Sequence, residues 1–217
     1  MMIEFKKGTG IYLYEGTLDL AKYAAGVCEM IEEASKDKNT ALAIRTIDYI
    51  EEKLKTEKAI IALHHDKVIG FCYIETWEHG KFVANSGLIV SAEYRKSGLA
   101  QTIKEMAFKL SEKKYPNAKI FGLTTSLAVM KINSNLGYKA VTFSELTTDD
   151  NFWKGCETCK YFDILQRTTR KHCLCTAMVF DPVKAKTNGA NTEINKISSK
   201  TNGQEIKSNE EKSIVSL

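Results

Sequence analysis

The sequence of 217 residues lacks any apolar run approaching the ~20 residues that span a bilayer. The stretch from Met1 to Lys7 has no apolar core of the kind that a secretion signal carries. The net charge of +4 is spread along the chain and does not indicate a nucleic-acid-binding surface. We therefore expect a cytoplasmic protein with no membrane partner and no nucleic-acid partner.

Aromatic residues are missing from Lys184 to Leu217, where Asn, Ser, Thr, Lys and Glu dominate. A segment of this composition cannot bury enough apolar surface to offset the entropy lost on ordering. The whole chain is 43% hydrophobic, as globular proteins are, and its length suffices for one substantial core. We predict a core domain at residues 1–145, an extension packed on it at 146–183, and a disordered polar tail at 184–217.

Two common phosphate-binding motifs are also missing. The chain has no Gly-Lys-Ser/Thr sequence of the triphosphate-binding loop, and it has one glycine where the dinucleotide fingerprint needs three. What is present is an apolar run at 88–90, the loop Arg95-Lys-Ser-Gly-Leu-Ala100, and a stretch with helical spacing. The apolar face of that predicted helix consists of Ile103, Met106, Ala107 and Leu110. A strand, a small-residue loop and a helix start present free backbone N–H groups, which suit a pyrophosphate.

The loop resembles motif A of the GNAT acyltransferases, whose pattern Gln/Arg-x-x-Gly-x-Gly/Ala is matched by Arg95, Gly98 and Ala100. The surrounding elements follow the order of that fold, and the helix near its end finishes in Leu136-Gly137-Tyr138. The predicted strands are 59–64, 68–77, 88–90, 119–125 and 138–143, and the predicted helices include 17–35, 42–55 and 127–132. The resemblance covers about residues 9–145. It implies a mixed α/β fold with a central, mostly antiparallel, twisted sheet flanked by helices.

In the GNAT superfamily the amine of a substrate attacks the thioester of acyl-CoA directly. The resemblance therefore implies an N-acyltransferase that uses acetyl-CoA or another acyl-CoA. The loop amides would hold the pyrophosphate, and the backbone of the preceding strand would pair with pantetheine and polarise the thioester carbonyl. The implied cofactor-binding residues are Leu88, Ile89, Val90, Arg95, Lys96, Ser97, Gly98, Leu99 and Ala100.

The catalytic acid and base depart from the common pattern. Many GNAT enzymes have a tyrosine where this chain has Asn133, which can hydrogen-bond but cannot act as an acid near neutral pH. Glu75, on the strand before the pantetheine segment, is the best carboxylate candidate, acting directly or through water. A competing interpretation makes Glu75 an exposed charge at a strand end. The catalytic candidates are therefore Glu75 and Asn133.

An α-amino acid acceptor needs a partner for its carboxylate. Arg45 lies near the junction of the two predicted N-terminal helices, in a region that the GNAT resemblance places on the acceptor side. It is the candidate for binding a small-molecule amine acceptor of this kind. The alternative is a surface arginine at a helix start.

Four of the six cysteines fall in the predicted extension, as Cys156-x-x-Cys159 and Cys173-x-Cys175. Thiolates at this spacing can share one tetrahedral zinc with a structural role, and His172 could replace one of them. The alternatives are buried thiols packed as small hydrophobes, or a redox pair.

A narrower resemblance covers residues 9–183. The segments Gly70–Glu75, Phe82–Val90, Phe152–Cys156 and Cys173–Thr176 are similar to those of a Bacteroidetes GNAT subfamily with a cysteine-rich extension, associated with arginine biosynthesis. This implies transfer of an acetyl or succinyl group to the amine of a small amino acid, with glutamate as the leading acceptor and a homodimer as one possible assembly. The alternatives are a protein or peptide N-acetyltransferase, and a degenerate acyl-CoA-binding regulatory module.

Overall fold

A computed structural model describes residues 1–36 and 42–186 of the chain. The chain divides into two units, Met1–Phe180 and Asp181–Leu217. In the second unit, residues 182–186 are helical. Residues 187–217, which make up most of the predicted polar tail, lie outside the described residues, so the disorder predicted for them stays a prediction.

The first unit is built on one mixed sheet. Its strands are β1 (Met2–Glu4), β2 (Ile11–Glu15), β3 (Ala59–His64), β4 (Lys67–Trp77), β5 (Phe82–Val90), β6 (Lys119–Thr124), β7 (Lys139–Val141) and β8 (Thr176–Phe180). They are ordered β1-β2-β3-β4-β5-β6-β8-β7. Every neighbouring pair is antiparallel except β5 and β6, which are parallel. The predicted mostly antiparallel sheet is confirmed.

Helices flank this sheet. They are α1 (Ala24–Ser35), α2 (Ile47–Lys55), α3 (Leu99–Lys114), α4 (Leu127–Asn135), α5 (Asp150–Lys154) and α6 (Phe162–Arg167), with 3-10 turns at Leu18–Tyr23, Glu78–Gly80, Ala92–Tyr94 and Phe143–Glu145. Within the described residues, no helix has the length and apolar character needed to cross a membrane.

Strand β4 supplies both apolar layers of the core. Cys72 and Ile74 belong to the cluster that packs against α3, whereas Phe71 and Tyr73 belong to the cluster that packs against α1 and α2. This division follows from the two-residue period of a strand, whose successive side chains point to opposite faces. The same period places Glu75 on the α1 and α2 face, two residues beyond Tyr73.

The predicted helix at 42–55 begins later than expected. Residues 42–46 are not helical, and α2 starts at Ile47, where the Thr46 side chain accepts a hydrogen bond from the backbone N–H of Tyr49. A threonine that caps a helix has extended backbone angles, and its hydroxyl satisfies an N–H that the helix leaves free. The consequence is that Arg45 lies in the extended segment that leads into α2.

The predicted extension contributes to the central sheet. Its last strand, β8, lies between β6 and β7 and pairs with both. The short helices α5 and α6 place Trp153 and Leu165 in an apolar cluster with Ala84 of β5 and Phe121 of β6. Residues of the extension therefore lie directly against the two parallel strands.

Strands β5 and β6 separate halfway along their length. Their pairing covers only Phe82–Ala84 with Lys119–Phe121, although β5 continues to Val90. On its other edge β5 stays paired with β4, with a shift of register opposite Phe71 and Tyr73. Gly87, with φ of +64°, lies at this irregularity, and a Cβ there would stand 2.8 Å from the Tyr73 ring. The result is a wedge-shaped opening in the middle of the sheet.

Candidate active site

The loop between β5 and α3 leaves amide groups free at a helix start. Gly98 caps α3 with φ of +95°, a left-handed conformation that side chains with a Cβ rarely adopt. The Thr102 N–H donates to Gly98 O, which closes the first helical turn. The preceding amides of Ala100 and Gln101 therefore have no acceptor within the helix. Free amides at the positive end of a helix dipole suit an anionic phosphate.

A cavity of about 730 Å³ extends from this loop into the opening between β5 and β6. Of the nine residues predicted to bind the cofactor, seven line it: Leu88, Ile89, Val90, Arg95, Lys96, Gly98 and Ala100. Ser97 and Leu99 do not. The Ser97 hydroxyl accepts from the Leu99 N–H at 3.2 Å, and the Leu99 side chain is buried in the core. These two residues shape the loop and do not face the cavity.

Asn133 lies in the wall of the same cavity and is buried. Its Nδ2 donates to Met178 Sδ at 3.6 Å. Its Oδ1 is fully buried and has no hydrogen-bond partner among the described residues. Because an unpaired buried oxygen is costly, the side chain amide is suited to a polar group of a bound ligand.

A second cavity, of about 480 Å³, opens on the α1 and α2 face of the sheet. The two cavities share Ser86, Gly87, Gly122 and Leu123 in their walls. These residues belong to the segments of β5 and β6 that have separated. A group held in the first cavity can therefore meet a group held in the second, at the opening in the sheet.

Glu75 is part of a charge pair in the second cavity. Lys53 Nζ lies 2.5 Å from Glu75 Oε1, and the Tyr49 hydroxyl donates to Glu75 Oε2. Lys53 also pairs with Glu52 at 2.6 Å. Burial lowers the pKa of Lys53, but its hydrogen bonds to the two glutamates outweigh burial, so the pKa is raised and the ammonium persists. The alternative of an exposed strand-end charge is wrong, because the Glu75 side chain is only 20% exposed.

Tyr49 stays protonated beside this carboxylate. Burial raises its pKa well above the ordinary value for tyrosine, with further contributions from Tyr73 and Glu75. A protonated phenol is a hydrogen-bond donor, so Tyr49 orients Glu75 while leaving its charge unchanged. The sequence pattern did not indicate Tyr49 or Lys53, since both contact Glu75 from a different element.

Arg45 lines the second cavity and is partly buried. Its Nε donates to the Tyr73 hydroxyl at 3.0 Å, and its Nη1 donates to the carbonyls of Ile44 and Gly155 at 3.0 and 3.1 Å. The guanidinium lies over the Tyr49 ring, 5.6 Å from its centroid. Arg45 is therefore a fixed positive charge in the cavity, and the alternative of a surface arginine is wrong.

The predicted zinc site is not supported. Among residues 1–36 and 42–186, no group of three or more His, Cys, Asp or Glu side chains is arranged to hold a metal ion. The thiols of Cys156, Cys159 and Cys173 each raise the pKa of Cys175, so they lie within electrostatic range of it. All are free cysteines.

Three of these cysteines, Cys156, Cys173 and Cys175, lie in or against an apolar cluster. Burial raises the pKa of Cys156 to about 11 and also raises that of Cys175. Cys173 is buried in an apolar cluster and its Sγ contacts Tyr161 O at 3.9 Å. His172 is exposed. The alternative of buried thiols packed as small hydrophobes fits better.

Lys104 is a residue of the first cavity that the sequence pattern did not single out. It lies on α3, is 2% exposed, and lines the cavity close to the opening in the sheet. Burial lowers the pKa of Lys104 to about 8. One sequence feature could have indicated it: Lys104 and Ser111 are polar residues seven positions apart on the buried side of a helix.

A hydrogen-bonded chain fixes the cavity wall beside Lys104. The Tyr138 hydroxyl donates to Asn85 Oδ1 at 2.9 Å, and Asn85 Nδ2 donates to Ser111 Oγ at 2.7 Å. The Ser111 hydroxyl in turn donates to Ala107 O at 2.8 Å. Because Asn85, Ser111 and Tyr138 are all buried, this chain ties α3, β5 and the segment before β7 together.

Comparison with known proteins agrees with this geometry. Residues 27–129 match the family model described as Acetyltransferase (GNAT) family. This match and the fold support two predictions, the GNAT acetyltransferase family and the N-acyltransferase class. A comparison with curated proteins found no match in sequence. The Bacteroidetes subfamily is therefore not confirmed.

Solved structures share the fold at low sequence identity. N-acetylglutamate synthase from Neisseria gonorrhoeae, complexed with coenzyme A and N-acetyl-glutamate, has a TM-score of 0.55 and 13% identity over 79% of this chain. This chain covers only 35% of that enzyme's length. Diaminobutyrate acetyltransferase EctA from Paenibacillus lautus, in complex with L-2,4-diaminobutyric acid and coenzyme A, has a TM-score of 0.55 and 12% identity, covering 81% of this chain and 96% of that one. A GNAT-family acetyltransferase from Streptococcus pneumoniae has a TM-score of 0.54 and 12% identity, covering 79% and 98%.

Proposed function

We propose that this protein transfers an acyl group from acyl-CoA to the amine of a small amino acid, by direct attack of the amine on the thioester. The observation that carries the proposal is the junction of two cavities at Ser86, Gly87 and Gly122. One cavity has the features of an acyl-CoA site, and the other is lined by the carboxylate of Glu75 and by two cationic residues, Arg45 and Lys154.

The first cavity fits coenzyme A in three respects. The free amides of Ala100 and Gln101 suit the pyrophosphate. The edge of β5 from Leu88 to Val90, which β6 leaves unpaired, suits the amide groups of pantetheine, as an added strand would. The unpaired Oδ1 of Asn133 offers a further polar contact. When bound, acyl-CoA supplies the activated acyl group.

The second cavity fits an acidic amino acid. Glu75, which lines this cavity, would attract the α-ammonium group and remove its proton, directly or through water. Arg45 and Lys154 line the same cavity, and two cations suit the two carboxylates of a dicarboxylic amino acid. Glutamate satisfies these requirements. It is also the acceptor implied by the resemblance to the subfamily associated with arginine biosynthesis. The acyl groups to compare are acetyl and succinyl.

Four expectations about the protein rest on the sequence or on the resemblance alone. They are a cytoplasmic location, a homodimer, no membrane partner and no nucleic-acid partner. All four stay predictions.

A turnover screen tests the proposal. Free amino acids, short peptides and polyamines are offered with acetyl-CoA or succinyl-CoA, and thiol release and the acylated product are measured. We expect an α-amino dicarboxylate, with glutamate first, to give the highest kcat/KM. Turnover of peptides or polyamines alone would show that the acceptor is wrong. Binding of acyl-CoA without turnover of any acceptor would favour the degenerate regulatory module.

Replacement of Arg45 by Met is expected to raise the KM for glutamate about 10- to 100-fold, the loss typical of one charge-assisted hydrogen bond. The KM for acyl-CoA should change little, because Arg45 does not line the first cavity. Steady-state kinetics measure both constants, with thermal melting to confirm folding. Arg167→Met is the control, since Arg167 is an exposed arginine in a surface ion pair. An unchanged KM for glutamate in Arg45→Met would remove Arg45 from the acceptor site.

A further inference from the structure

The amine of Lys104 lies at the junction of the two cavities. A Cβ built on Gly122, a residue that lines both cavities, would stand 4.0 Å from Lys104 Nζ. The same Nζ lies 5.1 Å from the centroid of the Tyr138 ring. Lys104 thus extends from α3 through the core to the point where β5 and β6 separate.

The groups around this amine are neutral near pH 7. From β4, the Cys72 thiol faces it, and burial raises the pKa of Cys72 to about 11. Tyr138 faces it from the segment before β7, and burial raises the pKa of Tyr138 well above its ordinary range. The nearby strands contribute Asn85 and Gly122, which do not titrate. Burial is therefore the main influence on the charge of Lys104, with Cys72 as a smaller one.

We propose that Lys104 is the general acid that protonates the departing sulfur of coenzyme A. This inference rests on the proposed function, because it assigns a role in acyl transfer from a thioester. In many enzymes of this fold a tyrosine at the position of Asn133 acts as the general acid. In this chain Lys104 would supply the proton from α3 instead.

The proton balance of the step is complete. The neutral amine of the acceptor forms a C–N bond to the thioester carbonyl carbon, and the C–S bond then breaks with its electron pair on sulfur. The Lys104 ammonium donates one proton to that sulfur, which leaves as a thiol. Between ammonium and amide, the acceptor nitrogen loses two protons through Glu75 and water. One of them restores the Lys104 ammonium, and the other enters solvent.

The chemistry of Lys104 suits this role. A general acid is most effective when its pKa lies near the working pH, and burial places the pKa of Lys104 at about 8 instead of the ordinary 10.5. A buried ammonium without a carboxylate partner is costly. A role in proton transfer gives a reason for a lysine at this buried position.

Replacement of Lys104 by Met tests the proposal. We expect kcat to fall about 100-fold, the typical contribution of a general acid. The Kd for acyl-CoA, measured by calorimetry, should stay within about threefold of wild type because the removed group acts on the departing sulfur. The methionine replaces a buried charge by an apolar chain, so the variant should fold. The control is Lys109→Met, an exposed lysine on the same helix. A kcat within about threefold of wild type in Lys104→Met would overturn the proposal.

The pH profile gives a second readout. A general acid must be protonated, so kcat of the wild type should fall as pH rises through about 8, the pKa of Lys104. Lys104→Met should lose this alkaline limb, whereas Lys109→Met should keep it. An alkaline limb that persists unchanged in Lys104→Met would overturn the assignment.

A binding readout separates this inference from the proposed function. Protein labelled with carbon-13 at the lysine side chains is titrated with CoA, and the Lys104 resonance is assigned by its loss in Lys104→Met. We expect this resonance to move on addition of CoA, whichever acceptor the enzyme uses. If the resonance moves but no amino acid is acylated, only the proposed function is wrong. A Lys104 resonance that CoA leaves unmoved would overturn the present inference by itself.

Discussion

Replacement of Glu75 by Gln is expected to lower kcat for amino-acid acylation by about 100-fold, the scale of a lost general base. Glutamine keeps the shape of the side chain and can still accept the hydrogen bond from Tyr49, but it cannot accept a proton. The fold should persist, because Lys53 retains Glu52 as a partner at 2.6 Å. Steady-state kinetics with saturating acyl-CoA measure the effect, and circular dichroism checks the fold.

Glu52→Gln is the matched control for this prediction. This variant removes the other carboxylate that contacts Lys53. Glu52 is 47% exposed and does not line the second cavity. Its kcat should stay within about threefold of wild type. An equal loss of activity in both variants would indicate that Lys53, and not Glu75, matters for turnover. An unchanged kcat in Glu75→Gln would remove Glu75 as the base.

Replacement of Gly98 by Val is expected to raise the Kd for acyl-CoA at least about tenfold. The protein leaves room for a Cβ at this glycine, since its nearest neighbour would be Phe5 Cζ at 3.9 Å. The effect should therefore come from two other causes. A β-branched residue is strained at φ of +95°, and Gly98 lines the cavity in which we propose that the pyrophosphate approaches the loop, so added methyl groups should hinder that approach. Isothermal titration with CoA and with acetyl-CoA measures the change.

Gly80→Val controls for backbone strain alone. Gly80 has φ of +83°, and a Cβ there would meet nothing within 4 Å. This turn is not part of either cavity wall. Gly80→Val should therefore lose stability to a similar degree and keep the Kd of wild type. A Kd that is unchanged in Gly98→Val, or equally raised in both variants, would contradict the placement of the cofactor.

Local patterns in the sequence were sufficient for five strands of the described sheet, β3 to β7, but not for β1, β2 and β8. The predicted strand at 59–64 is found at Ala59–His64, and the strand predicted at 119–125 ends one residue earlier. Ser126 caps α4, since its side chain accepts from the Val129 N–H. These elements depend on alternation, helical spacing and capping, which are properties of neighbouring residues. Pairing and order then followed from the resemblance to a known fold.

The parts of the site that depend on long-range contacts could not be predicted in this way. Glu75 was a candidate by its place on a strand, but its partners Tyr49 and Lys53 lie more than twenty positions earlier on α2. The start of α2 was predicted too early because the apolar spacing continues back to Leu42, past the capping residue Thr46. In each case tertiary packing or capping outweighed periodicity.

The cysteines show a different limit of sequence reasoning. Their spacing predicted that they converge on one centre, but the described residues contain no group of three or more side chains arranged to hold a metal ion. Spacing does not determine whether thiols are arranged around a common centre or buried separately in an apolar cluster. Cys173 packs within such a cluster, and Cys156 and Cys175 pack against it. These two and Cys159 also line the second cavity.

A single-turnover experiment tests the central claim of acyl transfer to a free amino acid most directly. Enzyme is mixed with an equimolar amount of acetyl-CoA that is isotopically labelled in the acetyl group, and glutamate is then added. We predict that the label moves to the amino nitrogen of glutamate as CoA thiol appears, with no label on the protein at any time. Label that stays on CoA, or that becomes attached to the protein, would contradict the proposed direct transfer.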